Sequence, residues 1–566
     1  RTAAGTRDAA AVLAAVGVGA RHRLSRSQWE RFAATGTSHL MAISGLHVGL
    51  AAVAGFALVF GVAAAVPIRG NHYLLAVFAG VTIAGAYALV SGFGVPARRA
   101  IIMLLMAATA VARGRQVDSV MMVAVAAVFV FLADPVATLT PGFHLSFAAV
   151  VALLWLARRR GGNAGRVSGP ARQLVVMQVF LMFGLLPLTA TIFGRFAVLA
   201  TPVNLLAVPV FSFVTVPLTL AAGAIGDIWE PASMLLLRLA GTSVSLVDAV
   251  IRWAAELSLA DGTIAGLDGF AWLFVALPLA WVVLPRSWPG RYVAPLGVVA
   301  LLSWKPPPPP ADCFDAWVLD VGQGLSIALQ TSHGVVLYDT GMRWRSGGSA
   351  AEHVILPFLK SRGIQRISQL VVSHADLDHS GGTDALLRQV EVGDVFAGEP
   401  LPGIDAEQCR RGRRWRLGAV DFEILHPGGR ETNEGNNASC VLRIAVGPHA
   451  LLLTGDVERE AERQLLRSAG NLAADAVVVP HHGSGTSSSA ALVSATAPGV
   501  AVVSAGHANR WGFPVPKVVD RWKSAGAEML GTASDGAVFM RICSNEGIVD
   551  LTRERQRRQR FWHAER

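Results

Sequence analysis

The chain has 566 residues, of which 52% are apolar and only 16% charged, with a mean hydropathy of +0.46 and a net charge of +10. An ordinary soluble protein, with about 25% charged residues, is excluded. What remains is an integral membrane protein or a fusion of membrane and soluble parts. Charge placement favours the fusion. Residues 1–305 hold 22 Lys/Arg against 10 Asp/Glu, whereas residues 306–566 hold 27 against 29. The surplus of the first half fits loops obeying the positive-inside rule. Attraction to nucleic acid is a second reading that charge alone does not separate.

Residues 1–34 read as an amphipathic N-terminal remnant. The chain starts at Arg1 rather than Met and no signal peptide is visible, so a preceding N-terminal part is expected. Residues 35–304 form the predicted membrane domain. A span needs about 20 apolar residues, which predicts crossings near 40–66, 73–95, 98–112, 118–133, 143–157, 173–193, 197–222, 232–256, 268–284 and 291–304, the first two broken or re-entrant. Gly80, Gly85, Pro187, Pro202, Pro209 and Pro217 interrupt these runs. Such breaks belong either to kinked packing or to the lining of a pore.

The stretch TGTSHLMAISGLHVGL, residues 35–50, carries no charge but has His39 and His47. Its polar groups must find partners inside a bundle or line a wet path. Ser44 and His47 stand three apart and are expected on one helix face. Arg98 and Arg99 sit at the mouth of a predicted span, where they either face phosphates in a pore or anchor a helix end. His47 and His144 are further channel candidates. The most basic loops, at 113–116 and 158–172, are expected in the cytoplasm. Five further crossings then put the second half outside the cytoplasm, and one miscounted span reverses that side.

KPPPPPAD, residues 305–312, is a semi-rigid linker that ends the membrane part. After it, apolar runs at 316–329, 334–341, 449–456 and 475–484 read as buried strands leading into polar loops, with a helix near 456–470. Strands alternating with helices point to an α/β sandwich over residues 313–545, followed by a basic tail at 546–566. In SHADLDHSGG, the HxDxDH spacing of His374, Asp376, Asp378 and His379 lets one loop offer N and O donors to two adjacent metals. Asp456 in LLLTGD, His481 and His482 in VVPHHGS, and His426 in ILHP end later strands. One such residue alone is commonplace on a surface. The whole ordered set predicts a metal site.

Cys313, Cys409, Cys440 and Cys543 form no CxxC pair, which argues against a zinc ribbon. They pair with one another only if this half faces an oxidising compartment. CRRGRRWRLG, residues 409–418, sets Arg410, Arg411, Arg413 and Arg414 around Trp415. It reads either as a DNA-binding loop, with arginines on phosphates and the ring on a base, or as an exposed basic loop.

The HxDxDH, TGD and HHG set resembles the metallo-β-lactamase superfamily, whose αββα sandwich binds one or two metals. Asp376 stands where HxHxDH has a second histidine, and an oxygen donor there tilts preference toward Mn²⁺ or Mg²⁺ over Zn²⁺. By resemblance, His374 and Asp376 serve one metal, Asp378 and His379 the second, and Asp456 bridges. His481 or His482 completes the shell or acts as acid, and His426 is an outlying ligand. Asp378, His481 and His482 are the expected catalytic residues, with a water attacking phosphorus in line.

The 35–50 stretch closely resembles the ComEC-type competence proteins. So do SGFGVPARRAIIM (91–103), DPVATLTPGFHLSFAAV (134–150), LDVGQG (319–324) and NNAS (436–439). This resemblance implies an inner-membrane channel for transforming DNA. Duplex is met outside, one strand is degraded by a tethered nuclease, and the other passes inward. It also implies lipid, other competence and pilus machinery and a homo-oligomer as partners. Family members usually begin with more helices and an OB-like domain. Two positions depart from the family pattern: Leu325 follows LDVGQG where Asp or Asn is common, and Phe513 replaces the histidine of GHP. A domain that binds DNA without cutting, and a membrane-tethered hydrolase of a small substrate, are the alternatives.

Overall fold

Long apolar stretches cross a bilayer as helices because a helix satisfies its own backbone donors and acceptors. The computed structural model describes residues 6–65, 71–160, 169–257, 262–263, 294–345, 347–428 and 434–559. It divides into two units, Arg1–Trp304 and Lys305–Arg566. Among the described residues, seven helices are long and apolar enough to cross a membrane. These are Gly45–Ala65, His72–Val90, Val95–Ala112, Pro141–Arg158, Arg172–Phe193, Ala200–Ile225 and Glu230–Glu256. Ser119–Ala133 is apolar but shorter. The predicted span at 268–284 lies outside the described residues, and the last one corresponds to the ten-residue helix Ala294–Ser303.

Small residues let these helices approach. A Cβ on Gly80 would stand 2.5 Å from the Ala52 carbonyl oxygen, so Gly80 brings its helix against Gly45–Ala65. After Pro209 the helix passes through one π turn, Phe211–Thr215, which absorbs the ladder break that proline causes. The N-terminal residues pack into the first unit. Helices Arg7–Val18 and Arg26–Ala34 bury Val12, Val16 and Phe32 in a cluster with Val203, Phe211, Val244 and Ile251.

Among the described residues, the second unit has fifteen strands. They are β1 (Cys313–Val318), β2 (Ile327–Gln330), β3 (Val335–Tyr338), β4 (Arg366–Val372), β5 (Glu391–Ala397), β6 (Glu407–Gln408), β7 (Arg414–Leu417), β8 (Val420–His426), β9 (Val441–Val446), β10 (His449–Leu453), β11 (Ala476–Val478), β12 (Val500–Val503), β13 (Glu528–Gly531), β14 (Val538–Cys543) and β15 (Gly547–Arg553). One sheet runs β15-β14-β1-β2-β3-β4-β5-β6 and the other β13-β12-β11-β10-β9-β8-β7.

Most of these strands are buried on both faces, which explains their continuous apolar runs. Phe314, Ile327 and Tyr338 of one sheet meet Phe422, Leu442 and Val502 of the other in the central core. Leu356, Leu359 and Leu386 cover one outer face, and Leu465, Leu492 and Trp522 the other. The layers are therefore helix, sheet, sheet, helix. Each fully buried Leu, Ile or Phe contributes about 1.5–3 kcal/mol.

The domain boundary expected at 545 falls inside a hairpin. Gly547–Arg553 pairs antiparallel with β14, so much of the basic tail is an edge strand. All four cysteines pair. Cys313–Cys543 joins residues directly opposite on β1 and β14, and Cys409–Cys440 joins the start of the arginine segment to the start of β9.

Candidate metal centre

Four strand ends converge to make the site, the usual place for ligands in open α/β sheets. After β4 the chain places Ser373 and His374, then a single helical turn, Leu377–Ser380, carrying Asp378 and His379. β10 delivers Asp456. β11 delivers Pro480–Gly483, in which His481 (φ 51°) and His482 (φ 53°) are both left-handed. Non-glycine residues avoid that region, and two in succession mark an imposed geometry. β3 delivers Asp339, also left-handed at φ 60°.

The donor atoms crowd together. His379 Nε2 lies 3.2 Å from Asp456 Oδ1 and 3.3 Å from His482 Nε2. His482 Nε2 lies 3.4 Å from Asp378 Oδ2 and 3.5 Å from Asp456 Oδ2. Two overlapping groups, His374/His379/Asp456 and Asp378/His379/His482, each keep one donor atom per residue within 4.8 Å of the others. The Nε2 of fully buried His374 has no hydrogen-bond partner. A buried imidazole nitrogen left orphaned beside a carboxylate cluster fits a divalent cation.

Outer groups fix the rings. His379 Nδ1 donates to Asp339 Oδ2 at 2.8 Å, and His482 Nδ1 donates to the Ser504 carbonyl at 2.7 Å. Both Nε2 lone pairs are thereby aimed at the centre. Asp339 also accepts from the Ser373 N–H at 2.6 Å and its hydroxyl at 2.8 Å. Ser439 Oγ accepts from the Asp456 N–H at 3.0 Å and lies 3.4 Å from His374 Nδ1. Glu399 accepts from the N–H groups of Ala375 and Gly435, pinning the metal loop to the NNAS segment.

Electrostatics follow from this crowding. Burial alone would lower the His379 imidazole, but Asp456 and Asp339 outweigh it and hold it well above the ordinary histidine range. His482 is likewise raised, with Asp456 and Asp378 overcoming its burial. Burial would raise Asp456, yet the facing His379 and His482 hold it far below the usual carboxylate range.

Not every predicted residue joins the cluster. His426 does not. Its Nδ1 lies 3.0 Å from the Ser439 carbonyl and its Nε2 3.2 Å from Gln464 Oε1, so both ring nitrogens are engaged elsewhere. Asp376 is 61% exposed at the rim, 3.5 Å from His374 Nε2. His481 also sits at the rim, its Nδ1 3.2 Å from Glu458 and its Nε2 3.9 Å from Asp456. Leu325 is buried in the central core and cannot act as a ligand. Phe513 sets its ring edge-on to His481 at 5.8 Å.

The arginine segment is corrected more strongly. Trp415 is sandwiched between Phe396, at 5.4 Å, and Phe422, at 5.3 Å, so neither ring face is open to a base. Arg413 pairs with Glu407 at 3.4 Å and Arg414 with Glu423 at 2.6 Å. Among the described residues, Arg410 and Arg411 make no ion pair.

In the first unit, Ser44 and His47 do not share a helix face. The helix starts at Gly45. The Ser44 hydroxyl accepts from the His47 N–H at 3.3 Å, and His47 Nδ1 accepts from the Ser44 N–H at 3.5 Å. This reciprocal pair has the form of a capping box with histidine in place of Glu or Gln. Arg98 pairs with Asp134 at 3.3 Å. Arg99 donates to the Ser146 carbonyl and lies over the Phe147 ring at 5.6 Å. Both arginines tie neighbouring helices together. His144 is exposed beside Phe143.

Asp339 and Glu399 escaped sequence reading. Asp339 in LYDTG follows an apolar strand just as Asp456 in LLLTGD does, and that shared pattern was the available signal.

Comparison with known proteins agrees with this architecture. Residues 17–289 match the family model "Competence protein", and residues 319–507 match "Metallo-beta-lactamase superfamily". "Competence protein ComA" of Neisseria gonorrhoeae is 35% identical over 94% of this chain and 75% of its own length. The chain belongs to the ComEC-type competence family. Two further relatives are each 31% identical over 98% of this chain. They are "Uncharacterized protein YcaI" of Escherichia coli, matched over 73% of its length, and "Recombination protein 2" of Haemophilus influenzae, matched over 74%. Within the competence family, then, a polytopic helical unit is joined to a metallo-β-lactamase-type sandwich that carries a His/Asp cluster suited to a divalent metal.

Proposed function

We propose that this protein is an inner-membrane conduit for single-stranded transforming DNA, and that its second unit hydrolyses DNA phosphodiester bonds on the strand that is not transported. One observation carries the hydrolase part: His374, His379, Asp378, Asp456 and His482 converge from three strand ends around the orphaned nitrogen of His374. These five residues would hold one or two divalent ions, Mn²⁺ or Zn²⁺ with Mg²⁺ as a third option. When bound, such ions supply Lewis acidity and lower the pKa of water. Asp339, Ser373 and Ser439 keep the ligand rings oriented toward the metal side. His481 stands outside the cluster with its Nε2 toward Asp456, placed to pass a proton to a leaving oxygen.

Two disulfides support an extracytoplasmic position for this unit, since thiols persist reduced in a cytoplasm. That side is where duplex DNA arrives. In the first unit, outward-facing Leu58, Phe60, Phe129 and Leu132 suit lipid.

The test uses the full chain in lipid nanodiscs, incubated with linear duplex or single-stranded DNA in Mn²⁺ and then in Zn²⁺, beside Asp378→Ala. Cleavage by the parent and none by the variant supports the nuclease. Failure to cut in either metal leaves a unit that binds DNA without cutting. The Phe513 ring packed against His481 is the observation that favours this second reading.

A further inference from the structure

We propose that Arg510, Trp511 and Phe513 form a stacking ledge for unpaired DNA bases beside the metal cluster. The idea deepens the nuclease reading and rests on it for the reaction alone. It names the state in which the strand is held.

The ledge is a row of rings leading from solvent to the site. Trp511 is 44% exposed. Its ring lies 15° from parallel to Phe513, with centroids 6.4 Å apart. Phe513 in turn meets the His481 ring edge-on at 5.8 Å. His481 Nε2 is 3.9 Å from Asp456. A strand whose phosphate sits at the cluster therefore has its adjoining bases within reach of these two rings.

The loop beneath is built to hold them. Asn509 Oδ1 accepts from the Phe513 N–H at 3.0 Å, while its Nδ2 donates to the Phe513 carbonyl at 2.6 Å and the Gly506 carbonyl at 3.0 Å. The Gly506 N–H donates to Gln323 Oε1 at 3.2 Å, which anchors the loop to the LDVGQG turn. A large indole held exposed on a fixed loop is a preorganised platform, since little side-chain freedom is lost when a base lands on it.

Arg510 supplies the charge. Its guanidinium rests over the Trp511 ring at 4.2 Å, a cation–π contact. A base that takes the ring face releases this guanidinium toward the neighbouring phosphate. Aromatic faces interleaved with arginine bind single strands with little sequence preference. In an intact duplex both faces of each base are covered by neighbours, so the ledge selects unpaired strand. Trp415, the tryptophan that the sequence favoured, is instead stacked between the buried rings of Phe396 and Phe422.

The assay is fluorescence anisotropy of the full chain in nanodiscs with labelled oligothymidylate and with duplex of equal length, in EDTA so that nothing is cut. Trp511→Ala is expected to weaken oligothymidylate binding about 10-fold and duplex binding less than about 2-fold. Trp511→Phe should recover most of the loss. Arg510→Ala should flatten the salt dependence by roughly one phosphate contact. Equal oligothymidylate affinity in parent and Trp511→Ala overturns the ledge. So does an equal loss for single strand and duplex, or no recovery with phenylalanine. A parent that binds through Trp511 but never cuts overturns the nuclease and keeps the ledge. A parent that cuts with dependence on Asp378 while ignoring Trp511 does the reverse.

Discussion

The metal centre and the arginine hairpin look alike as sequence, each a dense charged cluster at the end of a strand. Their structures are opposites. At the centre, donors from distant strands turn inward, lose water and gather within 4.8 Å of one another in each group. In the hairpin, Arg413, Arg414 and Arg416 pair with nearby Glu407, Glu423 and Asp421 on the surface. Charge density alone therefore does not mark a site. A site needs charges left unsatisfied by their own neighbourhood, and only in the first cluster do histidine and carboxylate donors from separate strands converge on one another.

Substitutions at the two clusters should differ in scale. His379→Ala touches both ligand groups and is expected to bring bound metal in the purified full chain below detection by mass spectrometry. An unchanged metal content would remove the contrast entirely. Asp339→Asn keeps the packing but weakens the acceptor behind His379, so metal affinity should fall about 10–100-fold in a chelator competition.

Acidity tests the same centre. Facing carboxylates raise the His379 and His482 imidazoles from the ordinary histidine value, so protons compete with a metal for their Nε2 atoms. Metal uptake must displace those protons. Affinity should therefore fall as pH drops from about 8 to 6, with proton release visible as buffer-dependent heat in calorimetry. In the metal-free protein the sign is opposite. A raised folded-state pKa contributes stability below the unfolded value, and that contribution is lost as pH rises through the folded one.

The Cys409–Cys440 disulfide joins the two regions, since Cys409 opens the arginine segment and Cys440 follows Ser439. It closes a loop with a separation of 31 residues. Replacing both cysteines with serine should cost about 3–4 kcal/mol, read as a melting shift of about 10 °C. The smallest effect is expected from Arg414→Ala, which should alter duplex affinity less than about 2-fold because its charge is already paired and exposed. A large loss there would restore the hairpin as a DNA contact.

Much of this was legible beforehand. The helical first half, the strand-rich second half, and the motifs from which His374, Asp378, His379, Asp456 and His482 come together are local patterns, and local patterns survive folding. What failed depended on orientation. In β7 the residues RWRL alternate exposed and half-buried, so Arg414 and Arg416 face outward while Trp415 faces the core. That period of two was visible in the letters but was outweighed by composition. His426 ends a strand as His482 does, yet its ring nitrogens are spent on Ser439 and Gln464, residues remote in sequence. Ser44 and His47 were placed on one helix because the span was expected to start near residue 40, whereas the helix starts at Gly45. Asp339 follows an apolar strand as Asp456 does, but its role exists only once β3 lies beside β4.

The left-handed step at His481 and His482 also bears on how this site tolerates change. Each such conformation costs a non-glycine residue on the order of 1 kcal/mol. Exchanging His481 for glycine should therefore raise the melting temperature slightly while stripping the rim of its imidazole. At this turn, selection for a durable protein and selection for a working one pull in opposite directions.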